Sequence, residues 1–326
     1  MKKNHAKLLA LALVAAWAPG AKADEDIITR TFPARAGGKL TLDVDRGSIH
    51  LTTSDSDKVD VKITRELKNA STAEAKEVFE RHKIELTSTD NEVKIEAKAP
   101  QKFSSFKNPF SRLQVDYSIA IPAKFDINLK TAGGHIEVAD LEGKAVLHTS
   151  GGNLKLGVLK GPLKAHTSGG HITLTRVEGD ADVDTSGGNL RLGEIDGDLI
   201  AHTSGGHITL EKSKGSIKAS TSGGNIEVKD ANGPVNARTS GGHVTAQLNA
   251  QPASGCSLKT SGGNVEVLLA ANLALDVDAR TGGGRVNSDF PGTLNKEKTR
   301  LSAKLNGGGP ELILETSGGN VNVRKK

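Results

Sequence analysis

Cysteine, tryptophan and tyrosine are nearly missing from this chain of 326 residues. Cys256 is the only cysteine, so no disulfide can form within the chain and its fold must rest on packing. Trp17 and Tyr117 are likewise single, and aromatic residues make up 3% of the total. Carbohydrate grooves depend on aromatic faces stacked against sugar rings, which disfavours a lectin groove or a glycan-cleaving enzyme. Beyond Ala18 there is no apolar run of membrane-spanning length, so no transmembrane anchor is expected in the mature chain.

What is present begins with Lys2, Lys3 and Lys7 ahead of an apolar run from Leu8 to Ala18, then Ala21-Lys22-Ala23. That order reads as a secretory signal peptide over 1–23, with the mature chain starting near Asp24. The segment holds four of the 43 Lys and Arg and none of the 38 Asp and Glu. The basic character therefore belongs to it, the mature chain is close to neutral, and nucleic-acid binding is not indicated. No cysteine follows the cleavage site to accept a lipid. The expected location is periplasmic, or secreted and cell-surface associated.

The dominant pattern is Thr-Ser-Gly-Gly followed by Asn or His and an aliphatic residue. It starts at Thr131, with Ala132 in the serine place, and returns every 18 residues at Thr149, Thr167, Thr185, Thr203, Thr221 and Thr239. Looser copies stand at Thr260, Thr281 and Thr316. Apolar residues alternate with polar ones on either side, as in Leu163, Ala165 and Thr167 before the glycines and Ile172 and Leu174 after them. A second glycine column runs through Gly143, Gly161, Gly179, Gly197, Gly215 and Gly233. Two short strands and two corners per unit predict an all-β fold, a β-solenoid or β-helix-like stack of 18-residue two-strand coils. Both glycine columns are expected to supply positive φ. A meander of antiparallel hairpins is the competing arrangement.

His135, His171, His207 and His243 alternate with Asn153, Asn189 and Asn225, so the duplicated unit is 36 residues. In a stack, successive histidines of this ladder would lie roughly 9–10 Å apart. The array, 131–326, ends on Arg324-Lys325-Lys326, a charge cluster expected beside an edge strand. Residues 24–130 read as an N-terminal α+β cap. There Arg46-Gly47-Ser48 resembles a degenerate first corner, Val59 to Ile63 a strand, and Ser71 to about His82 a capped helix. A hairpin is expected around Asp90-Asn91.

Phe32-Pro33, Gly37-Gly38-Lys39-Leu40, Ile119-Ala120-Ile121-Pro122 and the serial corners together resemble the bacterial putative-adhesin family of envelope proteins. The resemblance implies a β-helix-like domain outside the cytoplasm, with adhesion attached to the fold and no catalytic residue to carry over.

Several residues invite chemical readings. His148, His166 and His202 directly precede a corner threonine, while His171 and His207 follow the glycines, so His166 with His171, and His202 with His207, flank one turn. Imidazoles so placed could meet a transition metal, but no Asp, Glu or Cys recurs beside them at a ligand spacing, and a polar ladder is the favoured reading. Calcium-binding nonapeptides need an Asp that these corners lack, and the glycines open no phosphate loop. The threonines face inward without a base. Phe103, Phe106 and Phe110, interleaved with Lys102, Lys107 and Arg112, either plug the solenoid end or touch a partner.

The leading expectation is a non-enzymatic exported envelope protein, an adhesin-like binding or structural scaffold presenting repeated polar ladders to a cell-envelope component or another protein. No catalytic residue, metal or cofactor is expected. Its partner-binding candidates are His148, His166, His171, His202, His207, Phe103, Phe106 and Phe110. The alternative is an exported metal- or anion-binding scaffold using the corner histidines; behind it stands a polysaccharide-active β-helix enzyme.

Overall fold

The structure is a computed structural model, and it describes residues 25–100 and 108–326. The expected signal peptide, 1–23, lies outside the described residues, as do Phe103 and Phe106. Among the described residues no helix is long and apolar enough to cross a membrane. The chain divides into two compact units, one reaching Gly152 and the other starting at Asn153.

In the first unit one sheet runs Glu25–Pro33, Lys58–Leu67, Leu113–Pro122, Ser48–Ser54, Ile136–Val138. Its first two pairings are antiparallel and the rest parallel. The second sheet places Ala145–Thr149, Phe125–Thr131, Gly38–Val44 and Glu92–Lys98 in parallel order, with Lys83–Thr89 antiparallel at the edge. The expected hairpin is there, with Asp90 and Asn91 both at positive φ in its turn. The expected helix spans Thr72–Arg81, and Ser71 caps it by accepting from the Glu74 N–H. Gly47 serves as a corner: Thr131 Oγ1 donates to its carbonyl at 2.9 Å.

The second unit is a stack of coils. Leu163–Thr167 pairs in parallel with Ala181–Thr185, and that strand with Leu199–Thr203, always with the residue 18 positions on. On the other sheet Ile172 faces Leu190 and Leu190 faces Ile208 in the same way. Hairpins would instead pair the two strands of one unit antiparallel, so the β-solenoid arrangement holds. Inward columns are closed to water: Ala165, Val183, Ala201 and Ala219 on one side, Ile172, Leu190 and Ile208 on the other, are all buried. Side chains of one column stack at about 4.8 Å.

In-register stacking also explains the 36-residue period. Equivalent residues of adjacent coils become direct neighbours, where like charges repel and opposite charges attract. The column Arg176, Glu194, Lys212, Asp230 alternates in sign from coil to coil, and other columns hold single pairs of opposite charge. Lys164 meets Asp182 at 3.6 Å, Arg176 meets Glu194 at 3.2 Å, Lys212 meets Asp230 at 3.7 Å and Lys229 meets Glu211 at 2.7 Å. A strict 18-residue copy would stack each charge on itself.

The C-terminal part departs from the sequence expectation. Glu311–Thr316 inserts between Cys256–Thr260 and Leu275–Thr281, and Val321–Lys325 between Val265–Leu269 and Val286–Ser288. The corner at Thr316 thus stacks on the one at Thr260, and the corner at Thr281 lies beyond it. Arg324 and Lys325 do not end an outermost strand: theirs is paired with Val265–Leu269 and, as far as Val323, with Val286–Ser288, beyond which Asp289 accepts from Arg324 Nη1 at 3.0 Å and from the Lys325 N–H at 3.1 Å. The reason is the antiparallel strand Arg300–Leu305, which runs beside Leu275–Thr281 on its far side and carries the chain back.

Candidate functional site

Corner threonines are buried and doubly bonded. Thr203 Oγ1 donates to Gly188 O at 2.9 Å and accepts from the Gly206 N–H at 3.2 Å. Thr185, Thr221 and Thr239 repeat this to within 0.1 Å. Each hydroxyl ties one coil to the next and closes its own corner, which leaves it no part as a nucleophile.

The two corner glycines differ. A Cβ on Gly206 would lie 1.9 Å from Gly188 O, and one on Gly224 1.9 Å from Gly206 O. The second glycine is therefore demanded by the closeness of stacked backbones. Positive φ, the expected role in both columns, occurs in the opposite column at Gly143, Gly161 and Gly179 but not at Gly197, Gly215 or Gly233, and at none of the Thr-Ser-Gly-Gly glycines. A Cβ on the first glycine meets ordinary contacts at Gly187, 3.6 Å from Gly169 O, and at Gly205, 3.7 Å from Gly187 O, and a tighter one at Gly262, 3.3 Å from Gly241 O.

Immediately after the glycines, the Asn and His side chains cap the backbone of the following coil. Asn153 Oδ1 accepts from the His171 N–H at 2.8 Å, and His171 Nδ1 accepts from the Asn189 N–H at 2.9 Å. Asn189 to His207, His207 to Asn225, Asn225 to His243 and His243 to Asn264 continue the chain at 2.8–2.9 Å. An imidazole that accepts at Nδ1 carries its proton on Nε2. Asn and His are interchangeable here because Oδ1 and Nδ1 are both acceptors on Cγ. We expect nitrogen NMR above neutral pH to show His171, His207 and His243 as the Nε2–H tautomer. His207→Asn should leave stability unchanged, as Asn320 already stacks on Asn264 by the same bond at 2.8 Å. His207→Ala should cost about 1 kcal/mol for the lost acceptor.

A similar device stands at the opposite corner. Asp180 Oδ1 accepts from the Asp198 N–H at 2.9 Å and Asp198 Oδ1 from the Ser216 N–H at 2.8 Å. The Ser216 backbone bond, with its side chain, holds the Asp198 carboxyl below its ordinary pKa.

The histidines before the threonines pair along the stack. His166 Nδ1 lies 2.6 Å from Asp184 Oδ2, and His202 Nδ1 2.8 Å from Ser220 Oγ. His166 and His171, expected to flank one turn, each direct Nδ1 to a residue 18 positions later. Among the described residues no three His, Cys, Asp or Glu converge as a metal-binding group. The contact of His202 with Ser220 brings a base to a hydroxyl, but on the outer face of a parallel sheet the N–H groups lie in the sheet plane and serve the ladder. His148 sits in Ala145–Thr149, in register with Lys130.

Phe110 is buried in the short 3-10 turn Pro109–Arg112, with Arg46 over its ring at 5.8 Å and His82 at 6.5 Å between centroids. It is packing, and offers no surface to a partner. Close by is a cluster that sequence reasoning missed. Arg65, 4% exposed, is paired through Nε with Asp26 at 2.9 Å and donates from Nη1 to Phe79 O at 2.8 Å and His82 O at 3.0 Å. It closes the carboxyl end of the helix, where partial negative charge collects. Burial opposes ionisation of Asp45, yet the His82 bond and the Arg46 charge outweigh it and lower its pKa. Against this clamp lies a cavity of about 410 Å³ walled by Ile28, Phe79 and Ile84, with mixed charges at its mouth.

Residues 38–324 match the sequence family described as Toastrack DUF4097. No curated protein matches the chain. Among solved structures, a putative adhesin from Bacteroides fragilis is 13% identical, with 94% of this chain and 100% of that chain covered and a TM-score of 0.30. A putative adhesin from Parabacteroides distasonis is 14% identical, covering 92% and 98%, with a TM-score of 0.37. A putative lipid binding protein from the same organism is 15% identical, covering 90% and 96%, with a TM-score of 0.36.

Proposed function

The chain belongs to the Toastrack DUF4097 family, and from that premise we propose that it is an exported, non-enzymatic protein of the cell envelope that binds a partner through its repeated polar ladders. The observation that carries this reading is the uniformity of the corner edge. Coil after coil, Thr185, Thr203 and Thr221 are committed to the stack, and the Asn and His beside them to capping. An enzyme needs an asymmetric set of groups around one reacting bond, whereas a surface of equal weak contacts gains strength by repetition. The signal-peptide pattern of 1–23 supports export.

Two measurements test it. Protein recovered from the envelope or the medium should have its amino terminus at or near Asp24; a cytoplasmic product retaining Met1 refutes export. Immobilised mature protein should retain a component of an envelope extract, and turnover of any substrate in a glycan panel would overturn the non-enzymatic reading.

A further inference from the structure

We propose that the exposed edge along the Thr-Ser-Gly-Gly corners of residues 153–326 is a recognition rail for a linear glycan whose rings carry carbonyl or carboxylate oxygens. The proposal rests on the binding reading above and names the chemistry of the partner. It starts from what the edge keeps after folding has taken what it needs.

The first glycine of the corner is present at Gly169, Gly187, Gly205, Gly223, Gly241 and Gly262. None of these has positive φ, and at Gly187 and Gly205 a methyl group would fit without displacement. At Gly187 and Gly205 folding does not require glycine, yet every one of these corners has it. The serine before it is exposed at Ser186, Ser204, Ser222 and Ser240. Its backbone carbonyl serves the stack, as Ser186 O does for Ser204 N and Gly205 N. Its hydroxyl does not: among the described residues Ser186, Ser204 and Ser222 make no side-chain hydrogen bond. Beside them the capping His and Asn use their acceptor atoms inward along the ladder. Nε2–H of His171, His207 and His243, and the amide N–H groups of Asn189 and Asn225, therefore form the outer row. The coils from the corner at Thr167 to the one at Thr260 offer the same three things: a bare backbone, a hydroxyl and an N–H donor.

A row of N–H donors is matched best by carbonyl and carboxylate oxygens, which only accept, since a hydroxyl brings a donor of its own that needs a partner, and a row repeating at about 4.8 Å suits a polymer. An extended peptide offers same-side carbonyls about 6.6 Å apart and falls out of step within two coils. Nucleic acid needs an excess of Lys and Arg for its phosphates, but flanking outward positions mix Lys155, Arg191 and Arg238 with Asp184, Glu227 and Glu266. The scarcity of aromatic residues means that sugar rings are not gripped by their faces. Contact falls instead on substituent oxygens, for which small Ser, Gly and Asn side chains give adaptable hydrogen bonding and close approach.

The test uses the full mature protein with oligosaccharides of equal length from chitin, alginate and cellulose, which carry N-acetyl carbonyls, carboxylates and hydroxyls alone. Binding to chitin or alginate fragments should be at least roughly tenfold tighter than to cellulose fragments and should strengthen with length. Gly187→Ala with Gly205→Ala should weaken it roughly tenfold with Tm held, as should Ser186→Ala, Ser204→Ala and Ser222→Ala together. His207→Asn should bind like the unaltered chain. Absence of binding to all three glycans, a preference for cellulose, or unchanged affinity in both edge variants overturns the proposal. An envelope protein captured independently of glycan competitors would overturn the glycan while sparing the binding reading. No capture and no glycan would remove both.

Discussion

Gly206→Ala should destabilise the second unit by about 3 kcal/mol or more, at the top of the range for overpacking, while Gly205→Ala should be neutral or stabilising by up to about 1 kcal/mol. The residues are adjacent and both stand in a glycine pair repeated along the chain. Their environments differ: the added methyl would sit 1.9 Å from Gly188 O at position 206 but 3.7 Å from Gly187 O at position 205. At 206 the obstacle is backbone, which is fixed by the ladder on either side, so relief means opening the stack. At 205 the methyl enters solvent-facing space and the unfolded chain loses freedom. Urea midpoints of the two variants check this, and equal effects would refute the assignment of close approach to the second glycine alone.

Arg65→Met should cost about 3 kcal/mol, the lower end of the range for removing one partner of a buried pair. Arg65 is 4% exposed and its guanidinium serves Asp26, Phe79 O and His82 O at once, so its loss strands a carboxylate and two carbonyls. Asp26 keeps 20% of its side-chain surface in contact with water, which moderates the cost. Adding Asp26→Ala to Arg65→Met should recover part of the loss, because the stranded charge goes with it. If the double variant is as unstable as the sum of the single ones, the clamp is not a coupled pair.

The coils were legible because their chemistry is local. Alternation at Leu163, Ala165 and Thr167, and the turn at Gly169-Gly170, state strand, face and corner within ten residues. Parallel stacking follows from equal lengths, and the helix from its cap at Ser71 with Glu74 three residues on. The order of the last corners was not legible, because Thr281 and Thr316 carry nearly the same motif and a motif does not say which neighbour it joins. Arg65 did leave a signal. It stands in the inward series Val59, Val61, Ile63, Arg65, Leu67 of Lys58–Leu67, and a strand read only to Ile63 stops short of the one polar residue in it. The capping roles of His171 and His207 also had a signal, their exchange with Asn at one column, but only hydrogen-bond geometry shows which ring nitrogen is engaged.

Insertion of Glu311–Thr316 and Val321–Lys325 between strands made earlier sets an order of events for the growing chain. Coils up to Val265–Leu269 can each settle on the one before as they emerge. Leu275–Thr281 cannot, since its parallel neighbour is 35 residues away in sequence. It must wait, paired antiparallel with Arg300–Leu305, while the strand exposed at Cys256–Thr260 stays open. Completion of the second unit is thus a ligation of two preformed pieces by a late wedge, and the interval before the wedge arrives is when an unpaired edge can meet another chain.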